Sequence, residues 1–304
     1  MPRPKECISC MYPASCANCL LPEYHPGFQA RVSITANSKE NLTMSCADHK
    51  DYHDEELDPC CLFDTYVGAD KSISKKELLE DPLRFLYKLF SSGSVKGETL
   101  INISIGASLF ENFVAIDFFK DIIVLESSDC CMKALESWLR NEPGAVEQSH
   151  VVEFVCSLKG QSTECKKQEE KTRRAIKRVV KWDITNENPL GEVVLPQADC
   201  IVTTYYLELV SKDHDMYINL LKKLLSLVKI GGHLVMVALI NISYYMVGQH
   251  KFAALKYNED FIQKALMEAG CSILSSDTHK SKFESPLCDY ESIAHFVCRK
   301  DRAV

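Results

Sequence analysis

A glycine turn and an acidic residue lie at the interval expected of a cofactor-binding sheet edge. An apolar run over residues 100–105 continues into the turn 104–108 (SIGAS), and a second apolar run ends at Glu126, twenty residues beyond Gly106. In sheets of alternating strands and helices, such a turn cradles a cofactor and such an acid binds its ribose hydroxyls. A lone glycine after a strand is more often only a turn, and an acid there often only caps a helix, so this pair alone is a weak signal.

Two further features strengthen the interpretation. Asp183 follows a third apolar run and is expected at the same sheet edge, where a carboxylate accepts hydrogen bonds from an adenine amino group. Residues 224–237 join an amphipathic helix, a lysine, paired glycines and an apolar strand. That combination is typical of methyltransferases built from alternating strands and helices.

The elements that must position these residues follow from hydrophobic periodicity. Asp81-Pro82 marks a helix start, because proline at the first helical position loses no hydrogen bond. Strands are expected at 100–105, 122–126, 151–155, 179–184, 199–205, 233–240, 272–275 and 292–298, with helices to about 119 and over 132–140, 216–228 and 259–269. The charged run 164–178 is interpreted as a solvated helix face or loop. This order predicts an α/β fold, a Rossmann-like, seven-stranded, mostly parallel sheet with helices on both faces and an antiparallel C-terminal strand.

Composition excludes several classes of function. The chain has 304 residues, 46% hydrophobic and 25% charged, with a formal net charge of −7. An acidic chain without a basic stripe argues against nucleic-acid binding. The run Leu234–Ile240 is too short to span a bilayer. The first twenty residues contain no apolar segment typical of a secretory signal, so no membrane association or secretion is expected.

The fifteen cysteines indicate a reducing compartment, and we expect a cytoplasmic protein. The adjacent pairs Cys60–Cys61 and Cys130–Cys131 do not resemble a disulfide framework, and several other cysteines lie in apolar runs where thiols behave as small hydrophobes.

Residues 1–50 differ from the remainder, being rich in Cys, Pro, Ser and Asn without sustained periodicity. Four of these cysteines form a C-x2-C-x5-C-x2-C pattern, namely Cys7, Cys10, Cys16 and Cys19. The five-residue spacer is short for a zinc ribbon or finger, so they are only a weak candidate metal site. The favoured interpretation is a disordered leader, followed by one domain over 51–304.

Eight segments then carry a family resemblance. They are GETLINISIGASLF (97–110), DIIVLESSD (121–129), ALESWLRNEPGA (134–145), KRVVKWDIT (177–185), NPLG (188–191), LPQADCIVTTYYLE (195–208), KIGGHLV (229–235) and SYYMVGQHKF (243–252). From about Tyr52 to Lys300 the chain resembles the nicotinamide, indolethylamine (thioether) and phenylethanolamine N-methyltransferases. The resemblance implies a class I methyltransferase domain that uses S-adenosyl-L-methionine.

The resemblance also implies roles for particular residues. Glu126 binds the ribose where the family usually has aspartate, Asp183 and the Ile184 backbone hold adenine, and Thr204 lies beside the methionine part of the cofactor. Gly106 is the second glycine of the family loop DIGSGPT. The implied cofactor-binding set is Ser104, Gly106, Ser108, Phe110, Glu126, Asp183, Ile184 and Thr204.

Three positions depart from the family pattern. Asn102 replaces the opening aspartate of the loop, Ser104 replaces its first glycine, and Leu62 replaces a tyrosine that helps to close the site. Serine tolerates a positive φ less well than glycine. Each lost polar contact costs about 1–3 kcal/mol of binding, so several together either weaken cofactor binding substantially or are offset by neighbouring residues.

The acceptor site departs as well. Ala238 and Ala254 stand where the nicotinamide enzyme has an aspartate and a serine, which argues against nicotinamide. Four tyrosines suit an aromatic amine or a soft nucleophile through stacking and cation–π contact, namely Tyr205, Tyr206, Tyr244 and Tyr245. Glu208 and Asp289 are candidates to receive an ammonium group. We assign positioning roles to Tyr205, Tyr245 and Glu208, and expect no acid–base catalyst because alignment carries most of the acceleration.

The leading hypothesis is a monomeric methyltransferase acting on the nitrogen of a small aromatic or aliphatic amine, or on a thioether sulfur. Its alternative is a pseudoenzyme that keeps the fold and acts through a partner, favoured by Asn102, Ser104, Leu62 and Ala238. A dinucleotide-dependent dehydrogenase is a distant third, because Gly106 alone does not make G-x-G-x-x-G.

Overall fold

A computed structural model describes residues 57–68, 75–282 and 285–303. All of these lie in one compact unit, residues 45–304. The predictions of a disordered leader over 1–50 and of a metal site at Cys7, Cys10, Cys16 and Cys19 fall outside the described residues.

Seven strands form one sheet in the order β3-β2-β1-β4-β5-β9-β8. Its strands are β1 (Thr99–Ser104), β2 (Asp121–Glu126), β3 (Ile176–Lys181), β4 (Ala198–Thr204), β5 (Val228–Ile240), β8 (Cys271–Lys280) and β9 (Ser292–Lys300). β9 runs antiparallel to both neighbours, whereas β1 to β5 pair in parallel. β6 (Tyr244–Val247) and β7 (His250–Ala253) form a separate antiparallel pair. The predicted fold class is confirmed.

Four of the described helices begin at side chains that cap them. Asp58, Ser128, Asp213 and Asn258 each accept a hydrogen bond from a backbone N–H of the first turn, which satisfies a donor that the helix itself leaves unpaired. The helices are α1 (Pro59–Tyr66), α2 (Asp81–Ser91), α3 (Phe110–Ala115), α4 (Asp129–Leu139), α5 (Ser149–Leu158), α6 (Cys165–Ala175), α7 (Leu207–Val210), α8 (His214–Ser226) and α9 (Glu259–Glu268). A π-helical turn, Lys75–Glu80, leads directly into α2.

Alternation along the strands divides the core between the two sheet faces. Ile101 and Ile103 of β1 belong to one buried cluster with Leu221 of α8, and Leu100 belongs to the other cluster. The second cluster includes buried side chains of α2, α3, α5 and α6. Because successive strand residues point to opposite faces, Asn102 and Ser104 share the face of Leu100, on which α3 packs.

One predicted element is wrong. Residues 151–155 are expected as a strand from their valines, but they lie inside α5. Val151, Val152, Val155 and Cys156 are all buried, at a spacing that places them on one helical face. Packing against the second cluster therefore overrides the strand preference of β-branched residues. The third apolar run also ends earlier than expected, since β3 stops at Lys181 and leaves Asp183 in the following loop.

Within the described segments, no helix is long and apolar enough to cross a membrane. The ten cysteines of those segments are all free thiols.

Candidate active site

The carboxyl ends of four parallel strands meet at one edge of the sheet. Ser104 at the end of β1 pairs with Thr204 at the end of β4, and Glu126 at the end of β2 pairs with Lys181 at the end of β3. Ligands of open α/β sheets bind beyond these ends. The structure therefore brings Ser104, Glu126 and Thr204 to the edge predicted from sequence.

A cleft with an empty volume of about 640 Å³ lies beyond β1 and β4. The turn 104–108, Thr204 and Tyr205 line it at the ends of β1 and β4, and apolar or aromatic residues form the remainder. The remaining lining is Leu62, Phe63, Tyr66, Val67, Leu78, Phe110, Leu209, Leu239, Ile242, Tyr245 and Cys288. A mostly apolar cleft with a few polar groups is the usual character of a small-molecule site. We refer to it below as the cleft.

Gly106 has a conformation and surroundings that require glycine. Its φ is +76°, a left-handed value, and a Cβ built on it would lie 2.6 Å from Leu62 Cδ2. Leu62 thus lies directly on the turn, at the position where the family resemblance implies a tyrosine. The predicted difficulty with Ser104 is corrected here. Ser104 ends β1 and is not among the described residues with positive φ, so serine adds no backbone strain.

Several buried hydroxyl groups of the cleft are unsatisfied. Ser108 Oγ, Thr204 Oγ1 and the Tyr205 hydroxyl have no hydrogen-bond partner of normal geometry among the described residues. Buried polar groups are nearly always paired, so hydroxyl groups without a close partner beside a cleft are candidates to bind a polar ligand. The Thr204 hydroxyl also lies near the Glu111 carboxylate. The glycine turn and these hydroxyls therefore fit the expected cofactor.

Glu126 is held firmly at the sheet edge but lies outside the cleft lining. It is 1% exposed, and its Oε1 accepts the backbone N–H of Ser128 at 2.7 Å, where α4 begins. The hydroxyls of Ser127 and Tyr206 form a hydrogen bond beside it. Its binding to a ribose stays a prediction.

Asp183 organises the loop after β3. Its carboxylate accepts from the Thr185 backbone N–H at 2.9 Å, the Thr185 hydroxyl at 2.6 Å and the Asn186 amide at 2.7 Å. Ile184, the next residue, is half-buried, and neither residue lines the cleft. The predicted adenine contacts of Asp183 and Ile184 are untested.

The four candidate tyrosines divide into two pairs. Tyr205 and Tyr245 line the cleft, and Tyr245 stacks on Phe252 with ring centres 5.2 Å apart. Tyr206 joins its hydroxyl to Ser127, and Tyr244 lies under the Lys251 ammonium at 3.8 Å. The structure therefore brings two of the four to the cleft.

Tyr205 has an unusual backbone for its residue type. Its φ is +50°, and its N–H donates to Val237 O at 2.9 Å, which holds the chain in this turn. Positive φ in a bulky residue is uncommon and clusters at functional sites. Burial raises the pKa of Tyr205 well above its ordinary value, so its phenol is neutral at physiological pH.

The two carboxylates predicted to receive an ammonium group contact backbone instead. Glu208 Oε1 accepts the Leu239 N–H at 2.7 Å, and burial raises the pKa of Glu208 to about 7. Asp289 accepts the N–H groups of Ser243 at 2.7 Å and Tyr244 at 3.1 Å. Neither carboxylate lines the cleft. Their contacts stabilise the walls, and any contact with an acceptor is untested.

Two residues of the site have no clear sequence signal. The Tyr66 hydroxyl lies 2.9 Å from Met246 O, Leu287 O and Met246 N, and so ties α1 to β6. Glu111 in α3 is completely buried near Ser104 and Thr204. An acid in the first turn of a helix usually stabilises the helix N-terminus, so its place in the sequence does not indicate a buried site.

Comparisons with known proteins agree with this geometry. The model of the NNMT/PNMT/TEMT family matches residues 45–301. Indolethylamine N-methyltransferase of Mus musculus is 32% identical over 249 residues, covering 82% of this chain and 94% of that protein. Nicotinamide N-methyltransferase of Homo sapiens is 36% identical over 235 residues, covering 77% and 89%. Phenylethanolamine N-methyltransferase of Sus scrofa is 30% identical over 199 residues, covering 65% and 70%.

The sheet order, the turn at Gly106 and the match over residues 45–301 all point to one assignment. The chain belongs to the NNMT/PNMT/TEMT family and is an S-adenosylmethionine-dependent N-methyltransferase.

Proposed function

We propose that this chain methylates a weakly basic nitrogen of a small aromatic compound, or a thioether sulfur, bound in the cleft. The observation that carries the proposal is the lining. Tyr205 and Tyr245 supply aromatic walls, and among the described lining residues none is Asp, Glu, His, Lys or Arg. An acceptor must present a free electron pair, and this lining offers no carboxylate or imidazole to remove a proton. Acceptors that are already neutral near pH 7 therefore fit better than aliphatic ammonium ions.

The cofactor is proposed to lie along the carboxyl edge of the sheet. The turn 104–108 and Thr204 would hold its amino-acid end, with Phe110 beside the turn, while Glu126 and the loop at Asp183 and Ile184 would hold ribose and adenine. When bound, it supplies a methyl group activated by a sulfonium. The chain contributes alignment of donor and acceptor, which is worth up to about 7–11 kcal/mol, and an apolar lining that limits water.

Nicotinamide is a less favoured acceptor. Ala238 and Ala254 are buried, neither lines the cleft, and a methyl side chain offers a carboxamide no hydrogen bond. This supports a search among amines, pyridines and thioethers without a carboxamide. We further propose a monomer in the cytoplasm, a location supported by the free thiols of the described segments.

The first experiment is calorimetric titration with S-adenosylmethionine and S-adenosylhomocysteine. Micromolar dissociation constants support the proposal, and transfer of a labelled methyl group to a panel of acceptors then identifies the substrate. We expect Thr204→Val to weaken both ligands roughly fivefold to a hundredfold, since it removes one polar contact of about 1–3 kcal/mol.

Thr203→Val is the matched control for this experiment. Thr203 is the preceding residue of β4, is buried and points to the opposite sheet face. The control should bind both ligands as the wild type does. If the wild type shows no binding at millimolar ligand, the enzyme proposal fails, and the pseudoenzyme alternative takes its place.

A further inference from the structure

Glu111 is a buried carboxylate whose polar neighbours are the neutral side chains of Asn102, Ser104 and Thr204, with no positive charge among them. It is 0% exposed, and neither of its oxygens has a hydrogen-bond partner of normal geometry among the described residues. The Asn102 Nδ2 group beside it is also unpaired, because only Asn102 Oδ1 is engaged, by Asn112 Nδ2 at 3.2 Å. An isolated buried charge is costly, so this carboxylate either stays protonated or awaits a positive charge.

Strand register places the groups beside this carboxylate at the edge of the cleft. Asn102 and Ser104 lie on the face of β1 that α3 covers, and Ser104 pairs with Thr204 of β4. Burial raises the pKa of Glu111 to about 7, and hydrogen bonding from Thr204, Ser104 and Asn102 opposes that rise. These three side chains therefore lie close to the carboxylate. Ser104 and Thr204 also line the cleft. One layer of hydroxyl side chains thus separates the carboxylate from a ligand.

We propose that Glu111 is a positioning residue whose carboxylate attracts the cationic amino-acid end of the cofactor through the hydroxyls of Ser104 and Thr204. The inference rests on the proposed function. It accounts for the lack of charged side chains among the described residues that line the cleft, because the negative charge lies one layer behind them. It also accounts for the unpaired Thr204 hydroxyl, which can donate toward the carboxylate and accept from a ligand ammonium.

The side chains that the neighbouring strands direct toward Glu111 are neutral. β1 contributes the neutral Asn102 and Ser104, and β4 contributes Thr204 and Tyr205, whose pKa burial raises well above its ordinary value. Asp81 of α2 acts electrostatically on Tyr205.

The helices α5 and α6, which pack on α3, direct amides and one lysine at its backbone. Gln148 accepts the Leu109 N–H at 3.1 Å, whereas Gln168 and Lys159 both donate to Phe113 O. His150 contacts Val67 O rather than α3, and Lys159 also pairs with Asp117.

The sign of the pH dependence follows from the carboxyl group. Ligand-free Glu111 is about half protonated at pH 7, and a bound cation favours its ionised form. Affinity for a cationic ligand therefore rises with pH, by roughly tenfold between pH 6 and pH 8, as the ionised fraction grows from about 0.1 to about 0.9. Binding near pH 7 releases a proton.

The test compares S-adenosylhomocysteine with 5′-methylthioadenosine, which lacks the amino-acid end, by calorimetry at pH 6, 7 and 8. In the wild type we expect the affinity for S-adenosylhomocysteine to rise tenfold from pH 6 to pH 8. We also expect proton release on binding, measured as a binding enthalpy that changes with the ionisation enthalpy of the buffer. In Glu111→Gln the rise and the proton release disappear, and affinity at pH 8 falls about tenfold or more. Titration of the ligand itself is common to both proteins and cancels in the ratio of their affinities.

Two further variants separate charge from structure. The double variant Asn102→Asp/Glu111→Gln returns a carboxylate to the adjacent side chain and should restore affinity at pH 8. Glu77→Gln is the matched control, because Glu77 is a buried glutamate whose carboxylate accepts from Lys282 N, Ser281 and Tyr290 instead. It should leave the pH profile unchanged.

Two results would overturn the inference. One is a wild-type dependence of affinity on pH that matches that of Glu111→Gln. The other is a loss of 5′-methylthioadenosine affinity in Glu111→Gln as large as its loss of S-adenosylhomocysteine affinity, which would mean a structural role only. If Glu111→Gln does not fold, the pH dependence of wild-type affinity and the proton release on binding still test the inference. A wild type that binds neither ligand overturns the proposed function and this inference with it.

Discussion

Two buried glutamates of this chain show that the partner of a carboxylate, and not its burial, distinguishes a structural acid from a ligand-directed one. Burial raises the pKa of both Glu111 and Glu208 to about 7. Glu208 accepts the Leu239 N–H at 2.7 Å, whereas the groups beside Glu111 are the neutral side chains of Asn102, Ser104 and Thr204, two of which line the cleft. Both groups bind more protons in the folded than in the unfolded state between about pH 4.5 and 7, so stability falls as pH rises through that window.

Gly106 permits a test of the turn at the scale of one residue. Gly106→Ala should lower the free energy of unfolding by about 1–2 kcal/mol, because its φ of +76° is unfavourable for alanine. The new Cβ would also press on Leu62 Cδ2, built at 2.6 Å. Urea denaturation measures the loss. In a Leu62→Ala background the same substitution should cost less, and an equal cost would mean that Leu62 does not press on the turn.

The site residues differ in how well sequence predicts them. Gly106, Glu126 and Thr204 end apolar runs, so strand ends alone bring them to one edge. The family pattern predicts strain at Ser104, but β1 extends through that residue. Glu111 has no such signal, because its burial results from α3 packing on β1, a contact that no local pattern encodes.

At the scale of elements, α1 forms one wall of the cleft and is joined to distant segments through a tyrosine hydroxyl. Its Tyr66 hydroxyl lies 2.9 Å from backbone atoms of Met246 and Leu287, about 180 residues or more along the chain. Phe63 and Leu62 of α1 line the cleft beside it. That hydroxyl therefore joins α1 to the segments at Met246 and Leu287 on this side of the cleft.

We therefore expect Tyr66→Phe to release α1. Leaving the buried carbonyls without this donor costs about 1–3 kcal/mol, and hydrogen exchange over residues 59–66 should accelerate while α8 stays protected. Hydrogen-exchange mass spectrometry measures the exchange rates of both helices. Tyr244→Phe is the matched control, since its hydroxyl makes only an exposed contact of 3.4 Å to Pro286 O. Unchanged exchange in α1 would contradict the role given to Tyr66.

Most elements were predictable because burial on one face leaves a periodic signal. The strands β1, β2, β4 and β9 lie within about two residues of their expected bounds. The helix α5 is not predictable in this way, because four buried apolar residues in a short segment resemble a buried strand in composition. The contact between Tyr66 and Met246 was equally invisible, since it joins distant segments through one hydroxyl.

At the scale of the whole sheet, the cleft and a carboxylate that joins three strands lie at opposite ends. The carboxyl ends of β1 and β4 carry the cleft, whereas their amino ends are joined by one carboxylate. Asp199 of β4 accepts the N–H groups of Glu98 at 2.8 Å and Thr99 at 3.0 Å, and the Lys229 ammonium at 2.5 Å. It therefore connects β1, β4 and β5 at the edge far from the cleft.

This separation predicts a variant that loses stability without losing the ligand. Asp199→Ala leaves the Glu98 and Thr99 N–H groups without their acceptor, so the free energy of unfolding should fall by about 1–3 kcal/mol. The dissociation constant for S-adenosylhomocysteine, measured well below the melting temperature, should stay within about twofold of the wild type. Asp121→Ala is the control, because its half-exposed carboxylate makes only a 3.6 Å contact with Lys177, and such surface pairs contribute at most about 1 kcal/mol. A marked loss of affinity in Asp199→Ala would mean that the amino edge also sets the geometry of the turn at Gly106, and that the two ends of the sheet are coupled.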